Sequence, residues 1–439
     1  MIKSFWITLG LSVVFCSALA LAQFAAPVIY PAGDGPVAIP AADVDQDGDL
    51  DLVVANMREN SFSIYFNNGN GTFPSRITYP TGQHTRDVLT VDFDKDGDMD
   101  VVTADYLDHT ITLFKNNGAG VFSLFTNYPT GHGPNALKAA DLDGDGDLDL
   151  VVANADTDSI SVFLNNGNGT LAPRMDYPVG LYPRGLSAGD LDGDGDFDLV
   201  FVNMASNTIS VLSNHGNGTF APKVDYATGL APADVIPGDL DGDNDLDLVV
   251  TNDDGFSVSV FLNNGNGTFP PRVDYPVGDS PIRFAMADLD ADGDLDVVTA
   301  NANSSNISIL YNNGDGTFAP QVVYPAGLKP IATSAVDLDG DGDLDIAMTN
   351  RDGLTIAIYF NLLSSCTALA GDVNSDQKVD IVDVVYLANV ILKSWAVPDP
   401  ACRGEVNGDG HLSMADVVYL ANHVFKDGPD PIQQGTCCQ

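Results

Sequence analysis

The chain carries very little positive charge. Its 439 residues include 18 Lys and Arg against 61 Asp and Glu, for a formal net charge of -43. A surface so acidic repels phosphate backbones and anionic headgroups, which excludes nucleic acid and acidic lipid as partners. Cysteine is missing from the long middle of the chain. Cys16 lies near the start, and Cys366, Cys402, Cys437 and Cys438 fall in the last seventy-four residues. The middle must therefore be held without disulfides, while the four late cysteines suit an exported protein and allow three pairings. A helical apolar period, a nucleophile motif, a zinc pattern and a phosphate loop are all lacking in that stretch.

Long apolar runs are confined to the start. Phe5 to Leu21 is apolar and ends in Ala20-Leu21-Ala22, the small-x-small pattern of a signal peptidase site. Residues 1–22 are expected to be a secretory signal peptide cleaved after Ala22, with an uncleaved anchor helix as the alternative. No later run approaches a spanning length, so the mature chain is expected to be secreted or held at the cell surface with no membrane span of its own.

What the chain has in abundance is aspartate in register. Seven copies of one nine-residue pattern begin at Asp43, Asp92, Asp141, Asp190, Asp239, Asp288 and Asp337, each 49 residues after the last. Constant spacing without insertion or deletion marks one structural unit repeated. From Asp141, four runs of β-formers follow: Leu148 to Asn154, Ser159 to Asn165, Arg174 to Val179, and Gly185 to Ala188. Gly, Asn, Asp and Pro separate them, including the turn Asn166-Gly-Asn-Gly-Thr170. Four strands in a unit of this length are expected to form a propeller blade, and seven units a seven-bladed all-β propeller over residues 23–363. Pro27 to Ala32 matches an outermost strand, and the last unit stops after its third strand at Phe360. The first strand is therefore expected to complete the last blade and close the ring, leaving no open edge.

Within each copy, aspartates stand at positions 1, 3, 5, 7 and 9. They are Asp43, Asp45, Asp47, Asp49 and Asp51; Asp92, Asp94, Asp96, Asp98 and Asp100; Asp141, Asp143, Asp145, Asp147 and Asp149; and Asp190, Asp192, Asp194, Asp196 and Asp198. The later copies are Asp239, Asp241, Asp243, Asp245 and Asp247; Asp288, Asp290, Asp292, Asp294 and Asp296; and Asp337, Asp339, Asp341, Asp343 and Asp345. Position 6 is Gly in six copies and Asn244 in the fifth; Asn tolerates the left-handed backbone, at some expected cost to that loop. Crowded carboxylates at two-residue spacing around a sharp bend are what Ca2+ requires, and without a cation they would repel one another. Acidic hairpin turns are the plainer alternative, but turn chemistry needs only one or two such residues.

On these residues, positions 24 to 363 resemble the FG-GAP or VCBS repeat family of integrin-α-like propellers. The resemblance implies about seven Ca2+ ions, each held by the side chains at positions 1, 3, 5 and 9 and the carbonyl of position 7. It also implies that the loop joins the innermost and second strands of a blade.

Strand alternation sends the calcium loops and the Asn-Gly turns to one face of such a propeller, where the units barely differ. The other face varies from unit to unit and carries Arg58, Arg86, Tyr106, His132, Tyr182, Arg184, Arg283, Lys329 and Arg351. Basic and aromatic loop residues on a chain poor in cations suit a carboxylated sugar, a polysaccharide or an acidic protein patch. Unconstrained variation of solvated loops is the alternative.

From residue 364 to 439 the character changes to a small α-helical, EF-hand-like module. Asp372, Asn374, Asp376, Lys378, Asp380 and Asp383 occupy positions 1, 3, 5, 7, 9 and 12 of one loop; Glu405, Asn407, Asp409, His411, Ser413 and Asp416 occupy those of a second. Val384, Val385, Leu387, Ala388, Ile391 and Leu392 recur at helical spacing after the first loop, as do Val417, Val418, Leu420, Ala421 and Val424 after the second. Two such segments 33 residues apart resemble a dockerin type I module, which implies one or two further Ca2+ ions and a cohesin-like partner. Gln377 at position 6, Glu405 at position 1, and the helix-start pairs Ile381-Val382 and Met414-Ala415 depart from the usual pattern. A folding module that caps the propeller is the competing possibility.

Two function classes remain. One is a non-enzymatic extracellular binding or adhesion protein with the propeller as recognition surface and the tail as attachment. The other is a polysaccharide lyase or glycosidase on a propeller scaffold, delivered by its dockerin. His84, His109, His132 and His215 do not recur in register and show no partner at motif spacing, and no catalytic constellation stands out.

Overall fold

Each repeat folds into four strands because its apolar residues alternate between two neighbouring cores. In the third blade the innermost strand is Pro134–Ala140, the second Asp149–Asn154, the third Ser159–Phe163 and the outermost Met175–Pro178, paired antiparallel in that order. Leu150 and Val152 enter a core shared with Val102 and Ile111 of the preceding blade. Val151 and Ala153 enter one shared with Leu199 and Phe201 of the following blade. A strand buried on both faces needs no polar alternation, which is why second strands read as unbroken apolar runs. Outermost strands face solvent, with Val224 and Val273 more than half exposed.

The computed structural model describes residues 23–363. The expected signal segment and the tail, with its candidate ligands from Asp372 to Asp416, lie outside the described residues. Among the described residues every regular element is a strand, and the strands form seven sheets. Gly185 to Ala188 belongs to Pro183–Gly189, the innermost strand of the fourth blade, so each blade is offset by one strand from the sequence unit read from Asp141. Val28–Pro31 pairs with Thr355–Tyr359 in the seventh blade and closes the ring as the sequence implied.

Two irregularities shape the channel side. In the first blade the innermost strand is split into Pro36–Ala38 and Ala41–Ala42, because Pro40 has no N–H for the ladder. All seven innermost strands also carry a register shift near their first residue, as at Thr85/Asp87, Pro183/Leu186 and Pro281/Phe284. Such bulges re-aim the residues within them.

Neighbouring blades are joined by a repeated hydrogen bond. The buried Asn that follows the third strand donates its Nδ2 to the loop-position-2 carbonyl of the preceding blade: Asn116 to Val44, Asn165 to Phe93, Asn214 to Leu142, Asn263 to Leu191, Asn312 to Leu240 and Asn361 to Leu289, all within 2.7–2.9 Å. Asn67 makes the same bond to Leu338 at 2.8 Å, across the seam where the ring closes. Outer tyrosines add edge-on contacts to the next blade, as Tyr226 does to Phe269 at 5.4 Å.

Candidate metal centres and the opposite face

The seven aspartate loops join innermost to second strands and share one hydrogen-bond plan. The position 1 carboxylate accepts the N–H of position 6 at 3.0–3.1 Å in every copy, from Asp43 with Gly48 to Asp337 with Gly342. Position 6 is left-handed throughout, at φ 97° for Gly48 and 71° for Asn244, so Asn244 takes the backbone its loop requires and its N–H still reaches Asp239 at 3.0 Å. The position 5 carboxylate accepts the N–H of position 7 at 2.8–3.2 Å.

Position 9 is buried and holds the loop to the blade. Asp149 accepts from Leu142 N–H at 2.9 Å and from Asn165 N–H at 2.7 Å, and Asp51, Asp198, Asp247, Asp296 and Asp345 repeat both bonds. Asp100 accepts from Asn116 N–H at 2.9 Å. Burial pushes the Asp51 carboxyl up to about 7 despite its two backbone donors, and Asp45 and Asp47 add to the rise. Burial likewise raises Asp100, Asp149, Asp198 and Asp247 to about 6, and Asp296 and Asp345 to about 7.

Position 3 is the point at which the chain leaves a ligand position unsatisfied. Oδ1 of Asp45, Asp94, Asp192, Asp241, Asp290 and Asp339 is buried with no hydrogen-bond partner, as is Oδ1 of Asp43 and Asp92 at position 1. One carboxylate oxygen from each of Asp43, Asp45 and Asp51 lies within 4.8 Å of the others. The same holds for Asp92, Asp94 and Asp96; Asp141, Asp143 and Asp149; Asp190, Asp192 and Asp194; and Asp239, Asp241 and Asp247. Buried carboxylate oxygens without donors cost several kcal/mol unless a cation meets them, and hard oxygen donors at this separation fit a calcium-sized ion.

Two position 7 side chains reach to the neighbouring loop instead. Asp98 accepts from Gln46 at 2.6 Å and Asp147 pairs with Lys95 at 2.5 Å, each bridging position 4 of one loop to position 7 of the next. Position 4 is also left-handed, at φ 62° for Gln46, 59° for Lys95 and 60° for Ala291. The only sequence signal of that requirement was glycine at position 4 of the other four loops.

On the opposite face the sequence candidates divide. Arg86, Arg184 and Arg283 are not loop residues: they lie in innermost strands, within the bulges, and with Arg351 they line a channel cavity of about 200 Å³. Tyr182 joins Arg86 and Arg184 in an adjoining recess of about 680 Å³. Arg58 bonds Asp352 at 2.7 Å and Lys329 donates to Asn303 at 2.8 Å, while Tyr106 donates to Asp156 at 2.8 Å and holds its ring 4.7 Å from the Arg86 guanidinium. His132, read from the sequence as solitary, stacks on His109 at 4.3 Å between centroids, and Nδ1 of His109 accepts the Gly133 N–H at 3.1 Å. His109 and His132 are 23 residues apart, a spacing that matches no repeat register, and the channel residues come from separate blades, so neither this stack nor the channel cluster was visible in the sequence.

Comparison with known proteins agrees with this architecture. Residues 43–103, 92–152, 141–201, 190–250, 239–299 and 288–348 each match the FG-GAP-like repeat, and residues 370–425 match the dockerin type I domain. Dockerin type I domains typically bind calcium and cohesin partners. A search of curated proteins finds no match. Among solved structures, an Agrocybe aegerita lectin described as recognising non-reducing terminal N-acetylglucosamine is 23% identical, with a TM-score of 0.50 over 66% of this chain and 80% of its own. Virginiamycin B lyase from Staphylococcus aureus is 15% identical, with a TM-score of 0.54 over 76% of this chain and 98% of its own. At such identities these likenesses show the fold alone. The six repeat matches together run from residue 43 to residue 348, well over half of the chain, and the chain belongs to the FG-GAP-like repeat family, with a dockerin type I domain after its propeller.

Proposed function

We propose that the chain is a secreted, calcium-binding propeller that recognises an extracellular protein or polysaccharide on its variable face and is attached through its tail to a cohesin-like partner. The observation that carries this reading is the difference between the two faces. One repeats a carboxylate cluster built on loop positions 1 and 3 and the same inter-blade bond in blade after blade, as a scaffold does. The other gathers arginines and aromatic rings that differ from blade to blade, as a recognition surface does.

In each loop the position 1, 3, 5 and 9 side chains and the position 7 carbonyl would hold one Ca2+. The ion would neutralise carboxylates that otherwise raise one another's pKa. The chain's own residues do the rest: position 9 ties the loop to the second and third strands, and position 6 makes the bend.

The test is capture of a cohesin panel and a glycan array by the calcium-loaded mature chain, with and without residues 364–439. The proposal expects cohesin capture that disappears with the tail and glycan or protein binding that survives its removal. Turnover of a bound polysaccharide would instead assign the propeller to an enzyme, and absence of any tail-dependent capture would remove the attachment role.

A further inference from the structure

The channel is basic in a chain that is otherwise strongly acidic. Five of the 18 Lys and Arg residues, Arg86, Lys138, Arg184, Arg283 and Arg351, line the cavity of about 200 Å³ beside only two carboxylates, Asp87 and Asp234. Collecting like charges in a confined site is unfavourable unless an anion completes it.

The partners of these cations show where the anion belongs. Arg283 is neutralised within the wall by Asp87 at 2.5 Å. Arg184 is paired at 3.0 Å with Asp253, on the side of the recess. Arg351 lies 3.7 Å from Asp352, a carboxylate that Arg58 already holds at 2.7 Å. Arg86 makes no ion pair among the described residues, and its Nε is buried without a hydrogen-bond partner. Its guanidinium lies 4.7 Å from the centre of the Tyr106 ring, and the residue lines both the channel cavity and the adjoining recess. Burial is the main cause that disfavours its charge; Tyr182 and Tyr106 oppose it, and Arg184 and Arg351 add to it to a lesser extent. The bulge at Thr85/Asp87 is what turns Arg86 inward.

We infer that the mouth of the channel binds the carboxylate of an acidic sugar, with Arg86 as its main anchor and Arg184 and Arg351 beside it. This rests on the variable face being the recognition surface, and it names the ligand class. A planar guanidinium with free donors suits a planar carboxylate, which it can grip with two bonds. The adjoining recess shares Arg86, Asn135 and Arg184 with the channel cavity, so one ligand can fill both. Its wall offers the Tyr182 ring and Met204 as apolar surface, and Asn207, Asp253 and Asp254 as hydrogen-bonding groups. Asp253 and Asp254 accept from hydroxyls but repel a second acidic group nearby. A uronic acid unit, with one carboxylate amid several hydroxyls, satisfies that wall; a run of acidic side chains does not.

The experiment is calorimetric titration of the calcium-loaded mature chain with methyl galacturonoside and methyl glucuronoside, set against methyl galactoside, sodium acetate and sodium sulfate. Binding of a uronoside that exceeds the neutral sugar and both simple anions by roughly tenfold or more supports the inference, as does a similar loss in Arg86→Gln. Arg351→Gln, on a rim loop, provides a second variant should Arg86→Gln fail to fold, with a smaller loss expected. Equal binding of galactoside and galacturonoside overturns the inference, and so does binding unchanged in both variants. Affinity for sulfate or acetate matching the uronosides would reduce the site to a general oxyanion site and overturn the sugar assignment. Cohesin capture and array binding to other parts of the face are scored separately on the same protein, so the wider reading can stand where this inference falls.

Discussion

Truncating Asn214 to alanine should loosen one seam of the ring by a measurable amount. Asn214 is 4% exposed; its Nδ2 donates to Leu142 O at 2.9 Å and Phe197 O at 3.0 Å, and its Oδ1 accepts from His215 and Gly216 N–H at 2.8 and 3.1 Å. Leu142 O keeps the Gly218 N–H at 2.8 Å, so that carbonyl is not orphaned. The loss is then about two net hydrogen bonds at ~1 kcal/mol each plus a small void, or roughly 2–3 kcal/mol. Contacts in a repeat ring are made with nearest neighbours, so the loss falls on the third and fourth blades. Leu142 is also position 2 of the third aspartate loop, so calcium affinity there should drop in parallel. The assay is urea unfolding in saturating calcium, read as a midpoint shift at constant slope. Asn217→Ala, an exposed change in the same turn, serves as the control and should cost less than ~1 kcal/mol. An Asn214→Ala protein within ~0.5 kcal/mol of the parent, or no weaker than the control, would refute the seam argument.

Three further outcomes follow from particular residues. Asp105 is fully buried where the other six blades have Asn, and accepts from Thr85, Thr103 and Thr112 hydroxyls; burial raises its pKa against those donors. Because its folded pKa is raised, its ionisation destabilises the fold as pH climbs from the ordinary carboxylate range through the folded value. Asp105→Asn should therefore melt higher than the parent at pH 7, by the equivalent of ~1 kcal/mol, with the difference vanishing near pH 4. Arg283→Gln should cost roughly 2–3 kcal/mol in thermal unfolding by leaving the nearly buried Asp87 carboxylate unpaired, and adding Asp87→Asn should recover most of the loss. A chain beginning at Ala32 loses the strand that pairs with Thr355–Tyr359; it should lose its single cooperative transition and self-associate in light scattering through the exposed edge.

The sequence made the scaffold legible because the scaffold repeats. A fixed 49-residue spacing announced the blades, four runs of β-formers per unit announced their strands, and an unmatched strand at each end announced closure. Contacts between blades were less visible. Asn116, Asn165 and their equivalents stood in plain view in the Asn-Gly turn, but a turn accounts for Asn without any partner, and the carbonyl each one reaches lies 72 residues earlier. The candidate binding face was the least legible. Arg86, Arg184 and Arg283 read as loop residues, the run after Arg184 being taken to begin at Gly185, whereas the innermost strand starts before each of them and carries a bulge there. Their convergence comes from ring geometry, and Arg86 and Arg283 are 197 residues apart when the backbone carbonyl of one meets the guanidinium of the other.

The central claim is that seven carboxylate loops hold the propeller together through bound calcium, and thermal unfolding with ion counting tests it most directly. The mature chain would be melted in excess chelator and again in millimolar calcium, and its folded form weighed by native mass spectrometry. The account predicts a large calcium-dependent rise in melting temperature with seven ions on the propeller and one or two more on the tail. Equal melting in both conditions, with no ion retained by the folded chain, would contradict it.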